Sequence, residues 1–469
     1  MQTAQILKER FGENSLLHFQ SGVSSKDRLN DWWKIKQGEY PIVLGSRSAI
    51  LAPIPNIGLI IIDEEHDAAY KEDRKPRFHV REVALKRAEQ TNATVIFGSA
   101  TPSLEVFQAA RNGELELIEL RERVVPASAP HLQLIDMNHE KKKGALSSKL
   151  LSMLEERLKS KEQTILFLNR RGFHRYLFCH HCSWVARCPQ CSIVLVEHKG
   201  KGFGCHYCSY KMEKPLACPE CKKIDLHAGG YGTQRVEQEL KEKFPWVRVM
   251  RWDRDAVSEQ GGQEKIFQKF SSGDFDVLVG TQMVAHGFNF PKVTLVGILD
   301  VDGPLHFPDF RSAERCFQMV TQVAGRAGRA LVTGDVLIQT KMPDHYALSF
   351  ALKMDYNGFA DKELKFRQEL GYPPYTHLVQ IVVSSKKPEK RKELVKKLEE
   401  WLEGFKEKMN LGIMGPTEVK GKKSSLKDSL RILLKVPPRD FLEFLDGLKI
   451  FISPCIQQVS IDVDPQFLK

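Results

Sequence analysis

The chain has 469 residues, which is room for about three domains at roughly 150 residues each. Its 42% apolar content excludes global disorder, and its longest apolar runs, at 57–62 and 293–299, fall well short of the ~18 residues of a membrane span. The net charge of +11, from 70 Lys and Arg against 59 Asp and Glu, favours a polyanionic partner, although a solvated basic surface explains it equally well.

Short apolar runs rich in β-branched residues predict the strands of the fold. In chain order they are IGLIIIDEEH (57–66), TVIFGSATP (94–102), TILFLNRRG (164–172), VRVMRWDRD (247–255), DVLVGTQ (276–282), TLVGILDVD (294–302) and GDVLIQT (334–340). Charged segments with helical spacing separate most of them. Strands that are apolar on both faces and alternate with helices indicate parallel α/β sheets buried on both sides, with ligands at the carboxyl ends of the strands.

Two segments interrupt this pattern. Residues 179–221 are dense in Cys, His, Pro and Gly. From about residue 343 the strand–helix alternation gives way to GYPPY (371–375), a Lys/Glu-rich helix around 386–408 and a basic loop, KGKKSS (420–425). We expect the 386–408 helix to present a solvated face rather than a binding surface.

The cysteines fall into pairs that indicate metal binding. Eight of the ten form C-x-x-C motifs, namely CHHC (179–182), CPQC (188–191), CHYC (205–208) and CPEC (218–221). The N-terminus, MQTAQILKERFGEN, lacks the apolar core of a secretory signal, so we expect a cytoplasmic chain with reduced thiols. Two such pairs complete a tetrahedral four-thiolate site for zinc. The remaining Cys316 and Cys455 are expected to be ordinary buried thiols.

The gaps between the pairs favour one arrangement. Few residues separate Cys182 from Cys188, whereas the gap between Cys191 and Cys205 is close to ordinary zinc-ribbon spacing. We predict two zinc ions, although pairing in sequential order stays open. The predicted ligands are Cys179, Cys182, Cys218 and Cys221 for one zinc, and Cys188, Cys191, Cys205 and Cys208 for the other.

A second group of residues indicates nucleotide hydrolysis. The first predicted strand ends in DEEH (63–66), where neighbouring carboxylates can face Mg²⁺ and an attacking water. GSAT (98–101) ends the next strand, and QVAGRAGRA (322–330) carries Arg326 and Arg329 three residues apart. Paired guanidinium groups can neutralise charge on a transferring phosphoryl group. Taken alone, an acidic strand end is more often a solvated turn.

The ordered set of motifs resembles a known family. DEEH, GSAT, FLNRRGF, GTQMVAHGFNFP and QVAGRAGRA resemble motifs II to VI of superfamily 2 helicases. The four C-x-x-C pairs directly after LFLNRRGF, the stretch ILDVDGPLHFPDFRSAERCFQMVTQVAGRAGR and the ending VSIDVDP are similar to the primosomal protein N′ (PriA) family of replication-restart helicases, over essentially the whole chain. The resemblance implies an ATP- and Mg²⁺-dependent 3′ to 5′ DNA helicase.

The resemblance also implies an architecture. The fold class is α/β, with two RecA-like parallel-sheet helicase lobes, an inserted double-zinc module and a small C-terminal α/β domain. Residues 1–125 would form an incomplete first lobe with motifs II and III, and residues 126–342 the second lobe, carrying motifs IV to VI and the zinc insert at 179–221. Residues 343–469 would form the C-terminal domain.

Nucleotide-site roles carry over from the family residue by residue. Asp63 would engage Mg²⁺, and Glu64 would orient and activate water. Gln322, Arg326 and Arg329 would face the nucleotide phosphates from the second lobe, with Arg329 as the arginine finger.

DNA contacts are implied in the same way. In the family, the stretch after DEEH forms an aromatic-rich loop that senses single-stranded DNA, and base stacking on such rings is worth about 1–3 kcal/mol per base. Here DAAYKEDRKPRFHVRE (67–82) supplies rings and cations at Tyr70, Arg77, Phe78, His79 and Arg81. An exposed loop with scattered aromatic residues is the alternative interpretation.

Further residues would connect the nucleotide to DNA. Ser99 and Thr101 would couple nucleotide state to DNA contacts, while Thr281, Gln282 and Gly287 would lie at the lobe interface and the DNA path. Branched and single-stranded DNA, single-stranded-DNA-binding protein and other primosome proteins would be the partners, with no role for a membrane.

One family motif is missing from the sequence. Family members place a phosphate-binding loop, G-x-x-x-x-G-K-[ST], before the acidic strand, and these 469 residues contain none. We therefore expect that the chain begins inside the first lobe and that alone it neither binds ATP tightly nor unwinds DNA. Two hypotheses follow: a replication-restart helicase, or a non-catalytic truncated remnant that acts only as a zinc-dependent DNA- and primosome-binding module.

Overall fold

The computed structural model describes residues 2–19, 24–120, 130–140, 144–169, 176–179, 182, 184–189, 194–197, 202–205, 210–228, 232–253, 256–257, 262–281, 290–307, 309–327, 334–385, 387–419 and 429–467. The chain divides into two compact units, residues 1–116 with 464–466 and residues 117–463 with 467–469. Within the described part of the chain, every helix is too short or too polar to cross a membrane.

The strands of the described residues are numbered in chain order. They are β1 Leu16–Phe19, β2 Ile42–Gly45, β3 Leu59–Asp63, β4 Thr94–Gly98, β5 His131–Asp136, β6 Gln163–Phe167, β7 Leu177–Cys179, β8 Val196–Glu197, β9 Phe203–Gly204, β10 Lys211–Met212, β11 Leu226–Ala228, β12 Val249–Trp252, β13 Val277–Gly280, β14 Val293–Ile298, β15 Asp335–Thr340, β16 His377–Ser384, β17 Gly412–Val419, β18 Ser429–Val436 and β19 Val459–Val463.

The α-helices are numbered in the same way. They are α1 Gln2–Phe11, α2 Ser25–Lys36, α3 Val80–Thr91, α4 Leu104–Arg111, α5 Ser148–Lys159, α6 Thr233–Lys243, α7 Gln263–Ser272, α8 Asp302–His306, α9 Ser312–Ala324, α10 Tyr346–Leu352, α11 Tyr356–Leu370, α12 Pro388–Lys406 and α13 Phe441–Ile452.

The larger unit contains the parallel sheet that the sequence predicts. In the described residues its strand order is β12-β13-β6-β14-β15-β5, and every neighbouring pair is parallel. All residues of β6, β13 and β14 are buried, as the uninterrupted apolar runs imply. Helices α5 and α6 cover the sheet, and Gly297 permits the approach of α5 because a Cβ there would lie 3.1 Å from a Leu150 methyl group. The predicted α/β fold class is confirmed.

The strands of the smaller unit differ from the prediction in one respect. Strands β3 and β4 pair in parallel, and α3 covers one face, where Ile62 is 4% exposed beside Val80. On the other face Ile61 is 63% exposed and Ile96 is 46% exposed. The expectation of burial on both faces is therefore wrong for this pair, because no helix of the described chain covers the second face.

The C-terminal part of the larger unit has a different architecture. Its described strands form an antiparallel sheet in the order β17-β18-β16-β19, with α12 and α13 packed against it. Helix α12 corresponds to the predicted Lys/Glu-rich helix and buries Val395, Leu398 and Leu402 while its charged residues stay exposed. The predicted basic loop at 420–425 lies outside the described residues.

The cysteine-rich insert is built from short antiparallel ladders. Strand β7 pairs with β11, and β9 pairs with both β8 and β10. Its small core contains Leu177, Leu195, Phe203 and Leu226 together with cysteines. So few apolar side chains give a fold of this size little stability of its own, which is why metal is expected to complete it.

Candidate functional site

Four sulfur atoms meet at the base of the cysteine-rich insert. The Sγ atoms of Cys179, Cys182, Cys218 and Cys221 all lie within 4.8 Å of one another. The Cys179–Cys221 sulfurs are 3.6 Å apart and the Cys182–Cys218 sulfurs 3.5 Å apart. A zinc ion bound at about 2.3 Å by four sulfurs has sulfur–sulfur edges of about 3.8 Å. The donor set and its spacing therefore fit a tetrahedral zinc ion.

Backbone geometry prepares the Cys218 thiol as a ligand, whereas burial raises the pKa of the neighbouring Cys182 thiol. Strand β7 ends at Cys179, and the Cys218–Cys221 turn is closed by backbone hydrogen bonds from Cys218 N to Lys223 O and from Lys222 N to Cys218 O, each 2.9 Å long. Burial by itself raises the pKa of the Cys218 thiol. The backbone N–H groups of Cys221 and Glu220 donate to its sulfur and bring the pKa down to about 7. A thiol with that pKa is largely ready to bind metal at neutral pH.

The second predicted zinc site is only partly described. Cys188 and Cys205 are buried in the core of the insert. Their expected co-ligands Cys191 and Cys208 lie outside the described residues, so this site stays a prediction.

The two cysteines outside the insert differ in burial. Cys316 is fully buried, as expected, and its sulfur lies 4.0 Å from the Val301 carbonyl oxygen. Cys455 is only half-buried, so the expectation of a buried thiol is wrong there. It lies in the short turn Ser453–Cys455 that follows α13, where the chain packs against the core from one side.

The DEEH and GSAT segments are in direct contact. Asp63 is exposed, and the backbone of Glu64 adopts a left-handed conformation with φ 47°. The ring of His66, 5% exposed, is hydrogen-bonded through Nδ1 to Ser99 Oγ at 2.6 Å and lies 3.7 Å from a Glu64 carboxylate oxygen. Ser99 Oγ also accepts from Thr101 N at 3.0 Å. A shift at the acidic turn can therefore reach the GSAT segment through one imidazole ring.

Glu65, to which the sequence assigns no role, anchors this turn. It is 2% exposed and accepts hydrogen bonds from Arg81 Nη1 at 2.9 Å and from the backbone and hydroxyl of Ser103 at 3.0 and 2.7 Å. Burial lowers the pKa of Arg81, but the Glu65 carboxylate and the acidic groups of Glu105, Glu82 and Asp464 together offset this, and the pKa is raised. Its position next to the two exposed acids is the only signal in the sequence that could have drawn attention to Glu65.

Arg47, to which the sequence also assigns no role, holds the predicted DNA-sensing loop in place. Arg47 donates to the carbonyl oxygens of Ala69 and Lys71 at 2.9 and 2.6 Å and pairs with Glu72 at 2.6 Å. Tyr70 donates its hydroxyl to Asp63 O at 2.6 Å. Burial and the nearby Asp63 carboxylate raise the pKa of Tyr70 to about 12, so it remains a donor.

The other aromatic and cationic residues of the loop also make internal contacts. Phe78 packs half-buried against the cluster around Ile62, and His79 Nδ1 accepts from Arg81 N at 3.2 Å as the N-cap of α3. Arg77 donates to Asp73 O at 3.1 Å. Their contact with DNA stays a prediction.

In the larger unit, the described motif residues follow strand and helix ends. Thr281 lies just past β13 and donates its N–H to Trp252 O at 3.3 Å. Gln322 lies on α9, and Arg326 lies just past its end, 8% exposed. Arg329, Gln282 and Gly287 fall outside the described residues, and the roles expected for all six remain predictions.

A buried acidic pair at the end of β14 was not singled out from the sequence. Asp302 accepts hydrogen bonds from the Thr340 hydroxyl and from Lys341 N at 2.8 Å, and Asp300 accepts from Gly303 N at 3.0 Å. Burial and the neighbouring Asp302 raise the pKa of Asp300 to about 6. In the sequence, the polar ending of the run LDVD was the only sign of this acidic pair.

Known proteins match the chain over most of its length. Family models match residues 368–466 (primosomal protein N C-terminal domain) and 231–331 (helicase conserved C-terminal domain). The replication restart protein PriA of Bacillus subtilis is 43% identical over 425 residues, covering 89% of this chain and 52% of that protein. PriA of Treponema pallidum is 38% identical over 475 residues, covering 99% of this chain and 71% of that protein. The chain belongs to the PriA family.

Membership of the PriA family confirms the resemblance drawn from the helicase motifs and the cysteine pairs. The chain spans about half the length of the curated PriA proteins it matches, 52% for those of Bacillus subtilis and Chlamydia trachomatis. Among solved structures, S. cerevisiae Dbp5 bound to RNA and ADP BeF3 aligns at 14% identity with a TM-score of 0.41, covering 79% of this chain and 78% of that chain.

Proposed function

We propose that the chain is the zinc-bearing motor part of an ATP-dependent 3′ to 5′ DNA helicase. It would act in the cytoplasm, recognise stalled or branched replication forks and initiate primosome assembly. One observation carries the proposal: in a member of the PriA family, the acidic turn contacts the GSAT segment through the His66–Ser99 hydrogen bond. Such a contact is suited to transmit nucleotide state to a DNA-binding surface.

The residues present supply only part of a nucleotide site. Asp63 and Glu64 would offer the carboxylate oxygens that Mg²⁺ prefers. The sequence holds no loop of G-x-x-x-x-G-K-[ST] type to cradle the phosphates. For this reason the complete activity requires a polypeptide that supplies the loop.

The zinc module has a structural part in the proposal. Cys179, Cys182, Cys218 and Cys221 would hold one ion, and zinc bound there contributes folding free energy directly. The ordered module would then contact DNA or primosome proteins, among them single-stranded-DNA-binding protein. Removing zinc is expected to disrupt assembly or unwinding more than nucleotide hydrolysis.

The first test measures ATP hydrolysis and forked-DNA binding by the chain alone. DNA should bind with an affinity that falls steeply as salt rises, because phosphate contacts release counterions. ATP hydrolysis should stay at background, and Glu64→Gln should change nothing. Hydrolysis that forked DNA stimulates and Glu64→Gln abolishes would contradict the expectation for the isolated chain, while DNA binding that is absent at low salt would contradict the proposal itself.

The second candidate function is a non-catalytic remnant that binds DNA or primosome proteins through its zinc module. The cluster of Cys179, Cys182, Cys218 and Cys221 favours it, because a module held together by zinc would not need a nucleotide site in order to fold. Both candidates predict DNA binding without hydrolysis by the isolated chain, so they separate only when the loop is supplied.

A further inference from the structure

Lys341 lies between the cysteine-rich insert and the parallel sheet. It follows β15 directly, and its backbone is fixed on both sides: Lys341 N donates to Asp302 at 2.8 Å, and Lys341 O accepts from Asn138 at 2.9 Å. Its side chain leaves the sheet toward the insert, where Nζ lies 5.6 Å from the centroid of the Phe178 ring. Phe178 belongs to β7, the strand that ends at Cys179.

The Lys341 ammonium group interacts electrostatically with groups of both the sheet and the insert. Burial lowers the pKa of Lys341, and four neighbours oppose this effect, namely Asp302, Cys179, Cys182 and Asp225. Asp302 begins helix α8 just past β14, whereas the two cysteines belong to the sulfur cluster. One half-buried cation is thus within electrostatic range of both structures.

A second contact seats the same strand on the sheet. The Tyr176 ring, one residue before β7, lies 5.2 Å from the ring of His306 on α8. Helix α8 begins at Asp302, the residue that also holds the Lys341 backbone. The base of the insert therefore rests on two side chains, His306 and Lys341, whose positions share one anchor.

The charge of a loaded metal site gives Lys341 a role. Four thiols release four protons when they bind Zn²⁺, so a neutral cluster becomes a dianion. A buried positive charge beside a dianion stabilises it, since screening by solvent is weak there. We propose that Lys341 is a positioning residue that stabilises the zinc-loaded form of the Cys179, Cys182, Cys218 and Cys221 site and couples metal loading to the seating of the insert on the sheet. This inference rests on the proposed zinc site.

The test measures zinc content and zinc affinity of the full chain by competition with a chromophoric chelator. The site is identified as the one whose zinc is lost in Cys218→Ser. Lys341→Met should weaken zinc binding there by about 10-fold or more, as loss of an outer-shell partner commonly does. Lys341→Arg, which keeps the charge, should stay within roughly 3-fold of wild type. If circular dichroism shows that Lys341→Met does not fold, Lys341→Gln replaces it.

The matched control is Lys362→Met. Lys362 is exposed on α11, and its Nζ lies 4.9 Å from the Phe366 ring centroid. The Lys362→Met variant therefore loses a similar cation–ring contact away from the cysteines. Its zinc affinity should equal that of wild type. Unchanged affinity in Lys341→Met, or an equal loss in Lys341→Arg, overturns the role of Lys341 alone. If the wild-type protein holds no zinc that Cys218→Ser removes, the proposed metal centre is overturned as well.

Discussion

Arg367 holds two buried carboxylates at once. It donates to Glu314 at 2.6 Å and to Glu363 at 3.1 Å, and its own side chain is 2% exposed. Glu363 also accepts from the Tyr346 hydroxyl. Glu314 lies on α9 and Glu363 on α11, so the guanidinium joins the helix that carries Gln322 to the helix leading into the C-terminal sheet.

Replacing Arg367 by Met should destabilise the chain by about 3–5 kcal/mol, because two buried carboxylates lose their counter-charge. Urea unfolding followed by circular dichroism measures the change. The control is Arg439→Met, which removes an arginine whose side chain is 77% exposed and should cost less than about 0.5 kcal/mol. A loss in Arg367→Met as small as in the control would show that the network contributes little to stability.

Asp300 should make stability depend on pH. Its pKa of about 6 in the folded chain exceeds the value of about 3.9 for an unfolded Asp. The neutral carboxyl therefore favours folding below about pH 4, and this contribution is lost as pH rises through 6. The Asp300→Asn variant lacks this pH dependence. The free energy of unfolding of the variant minus that of wild type should therefore be about 1 kcal/mol more positive at pH 7.5 than at pH 5.

Urea unfolding at the two pH values measures the effect of Asp300→Asn. The control is Asp446→Asn, at a side chain that is 72% exposed, and it shows how much an Asp to Asn exchange at the surface changes stability in the same assay. A stability difference for Asp300→Asn that does not change with pH would mean that this carboxyl titrates as in solvent.

At the scale of elements, strand β3 shows what sequence patterns can and cannot predict. Its run of apolar residues predicts the strand, its parallel pairing and its acidic end, and β14 has the same kind of run. In β14 both faces are buried, whereas in β3 Ile61 is 63% exposed. A run of apolar residues shows only that each side chain can be buried. Whether a face of the strand is covered depends on elements that are distant in sequence.

Neighbouring substitutions on β3 test this asymmetry. Ile62→Ala should destabilise the chain by about 2–5 kcal/mol, since it leaves a cavity against Val80 and Ala84. Ile61→Ala should cost less than about 1 kcal/mol, because the side chain already contacts solvent. Urea unfolding compares the two variants, and equal losses would mean that the outer face of β3 is covered in solution.

At the scale of the whole molecule, local patterns predicted the cluster of cysteine sulfurs better than the network around it. The C-x-x-C spacing predicted that Cys179 and Cys182 would meet Cys218 and Cys221, and the structure brings these sulfurs together. Arg47 and Lys341 carry no local signal, and Glu65 has only its position beside Asp63 and Glu64. Each acts through partners that are far away in the chain, so their roles emerge only once the fold places them.

We propose that this chain carries motor residues that act in ATP hydrolysis once a phosphate-binding loop and the rest of the first lobe are supplied. The most direct measurement is ATP hydrolysis by a chimera in which the part of Bacillus subtilis PriA that this chain does not match is joined to it, assayed with and without forked DNA. We predict hydrolysis that forked DNA stimulates and that Glu64→Gln lowers by about 100-fold or more, as loss of a general base does. A folded chimera that binds forked DNA but hydrolyses no ATP would contradict the motor and favour the non-catalytic binding module.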